Sequence, residues 1–169
     1  GLLVTELEAG GDEDQVGLRG PERFVARLRP WSPPSAGARS APVAGRAFLA
    51  GTSSPGILDG LCLREVVRRA PEAGEVEIRI EATGLNFMNV MSALGVYPGY
   101  PKGVGPLGIE CAGKVTAVGD GVHDLQPGDD VLAVAIDCMA SHTLADARLV
   151  RRRPAGLAVQ QAATLPIVY

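Results

Sequence analysis

Between residues 75 and 82, EVEIRIEA, apolar and charged positions alternate without a break: Val76, Ile78, Ile80 and Ala82 fall on one face, and Glu75, Glu77, Arg79 and Glu81 on the other. Period two is the signature of a strand with one buried face, and this stretch predicts one. LCLREVV just upstream predicts its strand partner, with APEAG as the turn between them. ECAGKVTAV, DVLAVAI and HTLADARLV predict further short strands, separated by turn chemistry such as GDG and QPGDD. The period changes at GLNFMNVMSALGVYPG, where Phe87, Val90, Met91 and Leu94 fall at i, i+3, i+4 and i+7. That spacing predicts the apolar face of a helix of about two and a half turns. Asn86 stands at its N-cap position and Gly95 at C′. GLAVQQAATLPIVY turns toward a helical pattern again and reaches Tyr169 without a C-cap signal.

Nearer the start, QVGLRGPERFVARL predicts two strands across a Gly20-Pro21 turn, with LLVTEL as a candidate third. PWSPPSAGARSAP, almost empty of large apolar groups, reads as a linker, and places a boundary near Ala44. Many short strands and few helices predict a mainly β, barrel-like domain. No internal repeat or heptad pattern is present.

Composition narrows the function classes. With 169 residues the chain is long enough for one ordinary domain, or for one domain plus a piece of another, and too short for two full ones. An apolar fraction of 46% and a formal charge of −3 give no basic footprint for nucleic acid, so small molecules or proteins are the expected partners. The longest apolar stretch, Val131 to Ile136, is far short of the roughly 20 residues a membrane helix needs. The opening GLLVTELEAG lacks the basic and apolar regions of a secretory signal and begins on Gly1, which suggests excision from a longer protein. Cys62, Cys111 and Cys138 are widely spaced and odd in number, the pattern of buried free thiols in a reducing, cytoplasmic setting.

Two readings of Asn86 stay open on pattern alone: its side chain caps the helix, or it points its amide at a ligand. GDGVHD is no dinucleotide fingerprint, because it lacks the third glycine and opens no periodic helix. Gly108, Gly113, Gly119, Gly121 and Gly128 instead suit tight turns or close backbone approach. His123 and His142 have no second ligand at i+3 or i+4 and are expected to be surface or hydrogen-bonded.

GLNFMNVMSALGVYPG, PLGIECAGKVTAVGDGV, QPGDDVLAV and AATLPIVY occur in an order and at spacings that resemble the medium-chain dehydrogenase/reductase superfamily, and within it the enoylreductase domains of polyketide synthases. The likeness covers residues 46 to 169. It implies a GroES-like, partly open β-barrel over 45–157, the start of a connection to a nucleotide-binding (Rossmann) domain over 158–169, and a strand pair and linker of a preceding synthase region over 1–44. The Rossmann half is then absent from this chain, and the chain alone is expected to bind NADPH weakly or not at all.

Zinc enzymes of that superfamily place Cys where this chain has Asn86 and His-Glu where it has Ile109-Glu110, so no catalytic zinc is expected. The resemblance implies that the parent uses NADPH hydride to reduce an α,β-unsaturated thioester on an acyl carrier protein, working beside other synthase domains, and it allows a homodimer of the parent. Within it Tyr97 matches a tyrosine beside the substrate, and a phenol, protonated at neutral pH, can donate to a developing enolate; alternatively it only packs the Pro-Gly turn. Tyr100 is the weaker competitor. Asn86 matches the family asparagine near the nicotinamide, and Phe87 follows it toward the cleft as a second candidate for cofactor contact. Asn89 departs from the usual Asp, removing a charge from the first helical turn that is favoured by on the order of a few tenths of a kcal/mol. Glu110 is expected in a structural salt bridge, and Arg151 to Arg153 as a solvated run or carrier-docking edge. A zinc-independent quinone oxidoreductase and a non-catalytic GroES-like scaffold or acyl-carrier interaction module are the alternatives.

Overall fold

The computed structural model describes residues 2–9, 13, 15–25, 45–54, 56–99 and 105–169. Two compact units divide the chain, Gly1–Gly37 and Ala38–Tyr169. The linker read at residues 30–42 and the boundary near Ala44 lie outside the described residues, as does Tyr100.

In the first unit LLVTELE forms helix α1 (Leu2–Glu8), not the third strand considered for it. Leu and Glu are strong helix formers, and no one-sided burial opposes that preference, since Leu3, Val4 and Leu7 are all exposed. The Gly20-Pro21 hairpin forms as expected: β1 (Val16–Arg19) pairs antiparallel with β2 (Glu22–Val25). Arg23 donates from Nε and Nη2 to the two Glu6 carboxylate oxygens, each at 2.7 Å, which ties hairpin to helix.

The second unit carries β3 (Phe48–Thr52), β4 (Leu61–Glu65), β5 (Glu75–Thr83), β6 (Glu110–Val118), β7 (Asp130–Val134), β8 (His142–Asp146) and β9 (Val150–Arg152). Helix α2 (Phe87–Ala93) lies between β5 and β6, and α3 (Val159–Ala162) follows β9. Five strands form one antiparallel sheet in the order β8-β5-β6-β7-β9. Two register shifts interrupt the long β5–β6 pair, at Glu77/Ile78 and Ile80/Ala82. Such bulges add twist, and they curl the sheet into an open half-barrel.

The alternation of β5 places Val76 and Ile78 in the core with Cys111, Val115, Val131, Ala133 and Val150. LCLREVV is not its partner: β4 pairs with β3, Phe48 opposite Glu65. Residues 66–74 make too long a connection for a tight hairpin, and β5 takes β6 and β8 as neighbours instead. Its polar face also departs from the simple pattern, because Glu77 is 4% exposed. Cys111 and Cys138 are buried thiols as expected, whereas Cys62 is exposed, since every residue of β4 faces solvent. Cys138 Sγ donates to the Ala135 carbonyl at 3.2 Å, and the neighbouring Cys111 thiol together with burial pushes the Cys138 pKa up. A second small cluster, Ala112 with Ala162 and Ala163, seats α3 on β6. Among the described residues no helix is long and apolar enough to cross a membrane.

Candidate functional site

The site is built where β5 ends and β6 begins. Thr83 Oγ1 and the Gly84 N–H both donate to the Glu110 carbonyl, at 2.8 and 3.3 Å, so the two strand ends are stitched together. The Glu110 side chain is 2% exposed. Its Oε1 accepts from Asn86 Nδ2 at 2.8 Å, and its Oε2 accepts from the Ile167 main-chain N–H at 3.0 Å. Among the described residues the expected salt bridge is therefore replaced by two neutral N–H donors, which compensate the buried carboxylate. Space for that carboxylate comes from Gly84, where any Cβ would overlap Glu110 Oε1.

Asn86 occupies the N-cap of α2, with extended backbone (φ −106°, ψ 154°), yet its side chain makes no capping bond. Its Nδ2 instead donates to the Glu110 carboxylate, and that bond sets the rotation of the amide. Capping runs the other way: the Asn86 N–H donates to Asn89 Oδ1 at 2.8 Å. This gives Asn89 a structural use that an Asp would also serve. Its Nδ2, where Asp would carry a second oxygen, is buried without a partner among the described residues, as is Ser92 Oγ.

The buried face of α2 is Asn89, Ser92 and Ala93, rotated from the Phe87/Val90/Met91/Leu94 stripe that the spacing predicts. Phe87 is left 76% exposed. Gly95 ends the helix as expected: at φ 68° its N–H donates to Ser92 O while Val96 N–H donates to Met91 O, each at 3.0 Å.

Asn86 and Phe87 thus stand together at the N-terminal end of α2. Tyr97, half-buried, follows the opposite end, about 10 Å away along a helix axis of this length. A groove of about 550 Å³ lined by Leu49, Cys62, Arg64, Leu107, Ile136 and Asp137 includes none of the three.

Elsewhere the titratable groups serve structure. His142 Nδ1 lies 3.1 Å from Ser141 Oγ, and burial holds its pKa below the ordinary value; His123 is exposed. Arg152 pairs with Asp129 at 2.9 Å and Arg153 with Asp130 at 3.3 Å, while Arg151 donates to the carbonyls of Arg148 and Val150. Among the described residues no group of three or more His, Cys, Asp or Glu is placed to hold a metal ion.

Sequence reasoning missed Gly84 and the Glu110 partnership with Asn86. The available signals were a glycine between strand and helix, and an acid that opens a strand whose next three residues are Cys111, Ala112 and Gly113.

A sheet of this topology with a helix inserted at the β5–β6 crossing defines a GroES-like half-barrel. Residues 72–163 match the alcohol dehydrogenase GroES-like domain, and the chain belongs to that family. It is 36% identical over 179 residues to a phenolphthiocerol/phthiocerol polyketide synthase of Mycobacterium tuberculosis, covering 99% of this chain and 8% of that protein. Among solved structures it is similar to the CurK enoyl reductase, with 33% identity and a TM-score of 0.68 over 72% of this chain and 40% of that one. It is also similar to an Escherichia coli quinone oxidoreductase complexed with NADPH, with 28% identity and a TM-score of 0.60 over 69% of this chain and 36% of that one.

Proposed function

We propose that this chain is the substrate-side part of an enoylreductase that acts within a polyketide synthase. The reaction is reduction of an α,β-unsaturated acyl thioester on an acyl carrier protein to the saturated thioester. The likeness to a structurally characterised enoyl reductase carries the reading.

The residues present fit a nicotinamide cofactor in part. The Asn86 amide commits its nitrogen to Glu110, which leaves its oxygen to accept, and Phe87 offers an exposed ring beside it. When bound, NADPH supplies the hydride that goes to the β-carbon. Asn86 and Phe87 hold and orient, with the principal cofactor determinants in a nucleotide-binding domain outside this chain. Tyr97 holds the proton on its phenol oxygen that the α-carbon takes up, so one hydride and one proton saturate the double bond.

The test is crotonyl-thioester reduction by the complete protein that contains this chain, followed as NADPH consumption. Tyr97→Phe is expected to lower kcat by about a hundredfold, the scale of a lost general acid. An unchanged rate removes Tyr97 from the mechanism. A protein that reduces quinones but no enoyl thioester is a quinone oxidoreductase, and the present reading then falls.

A further inference from the structure

A primary amide has a donor side and an acceptor side, and its neighbour decides which way it faces. Asn86 Nδ2 donates to Glu110 Oε1 at 2.8 Å, so the nitrogen faces Glu110 and the oxygen faces away. The main chain at Asn86 is held as well, because its N–H is taken by Asn89 Oδ1 and its carbonyl by the Asn89 N–H, at 2.8 and 2.9 Å. Asn86 Oδ1 accepts no capping bond from α2. Glu110 in turn is fixed from three sides: the Ile167 N–H holds Oε2, the Thr83 hydroxyl and Gly84 N–H hold its carbonyl, and the missing side chain at Gly84 makes room for Oε1.

We infer that Glu110 is a positioning residue that locks the Asn86 amide with its oxygen presented as an acceptor, so that the ligand group recognised at residue 86 is a hydrogen-bond donor. This rests on the reductase reading above. On the nicotinamide riboside end of the cofactor two kinds of group have that chemistry, the primary carboxamide and a ribose hydroxyl; carbonyl and phosphate oxygens are turned away. Replacing Glu110 by Gln breaks the lock without removing bulk, because a glutamine offers one acceptor to two donors. If its oxygen keeps Ile167, its NH2 meets Asn86, whose amide must turn over and present nitrogen to the ligand.

The experiment measures the Kd of NADP+ and of its 3-acetylpyridine analogue, which lacks the carboxamide NH2, by calorimetry on the complete protein. It compares wild type, Asn86→Ala, Glu110→Gln and the double variant. Glu110→Gln is expected to weaken NADP+ binding about tenfold, the scale of one hydrogen bond, and the double variant is expected to bind no worse than Asn86→Ala alone. An analogue penalty that disappears in Asn86→Ala supports the inference with the carboxamide as donor. An equal penalty in both backgrounds, with the coupling intact, supports it with the hydroxyl. Independent, additive losses, or wild-type affinity in Glu110→Gln, overturn the inference while leaving the reductase reading standing. A wild-type protein that binds no NADP+ overturns both. If Glu110→Gln does not fold, Glu110→Asp keeps the charge but shortens the reach, and it must show the same non-additivity with Asn86→Ala.

Discussion

The paired strands β5 and β6 bury two glutamates, 4% and 2% exposed, and treat them in opposite ways. Glu77 has a counter-ion: Arg68 donates from Nε at 2.8 Å and from Nη2 at 2.5 Å, and Thr116 adds its hydroxyl. The Arg68 guanidinium holds the Glu77 carboxyl below the usual range. Glu110 has no cation among the described residues and takes an amide and a main-chain N–H instead. The difference teaches that burial alone does not mark a functional acid. A carboxylate neutralised by arginine has spent its charge on the fold, whereas one surrounded by neutral donors uses it to orient them.

The sharpest break of this comparison is Gly84→Ala. The added Cβ must displace the Glu110 carboxylate, with loss of both its N–H partners. The expected cost is about 3 kcal/mol of stability, combining overpacking with a buried charge left poorly paired. Thermal denaturation of the complete protein reads the stability loss, and NADP+ affinity is expected to fall with it. Arg68→Ala tests the other glutamate. It is expected to cost about 1–2 kcal/mol, discounted because Arg68 is half-exposed, with NADP+ affinity unchanged.

The pH dependence of that second effect has a definite sign. Glu77 sits below its ordinary 4.5 in the fold, so the folded state binds fewer protons than the unfolded chain. The stability of wild type over Arg68→Ala is complete above pH 4.5 and lost as pH falls through the lowered folded value. A difference that grows on acidification would contradict the assignment. The smallest effect belongs to Arg69→Ala. Its pair with Glu75, 2.7 Å long, brings that partly buried carboxyl down to about 2, but Arg69 itself is half-exposed and solvent screens the pair, and the melting temperature is expected not to move measurably.

Those same elements show what a one-dimensional pattern can carry. The β5 alternation is legible because a half-buried strand writes its environment into every second residue, and the Gly95 stop is legible because only a left-handed residue closes that turn. The partner of β4 is not legible, since pairing is decided by the length of 66–74 and by the edge that β3 offers. For α2 the apolar stripe misleads: the buried positions are Asn89, Ser92 and Ala93, so hydrophobicity and burial part company. Asn86 is placed correctly at the helix start, but its bond to Glu110 depends on a residue 24 positions away, and the second anchor of Glu110 is 57 away. Nothing local encodes either distance.

Half of the Glu110 anchorage comes from the peptide nitrogen of residue 167, and a peptide nitrogen is blind to side-chain identity. Of the twenty amino acids only proline lacks that hydrogen. Any substitution at residue 167 other than proline is therefore expected to leave this anchor in place, whereas changes at positions 84 and 86 act on it directly, because no main-chain substitute exists there.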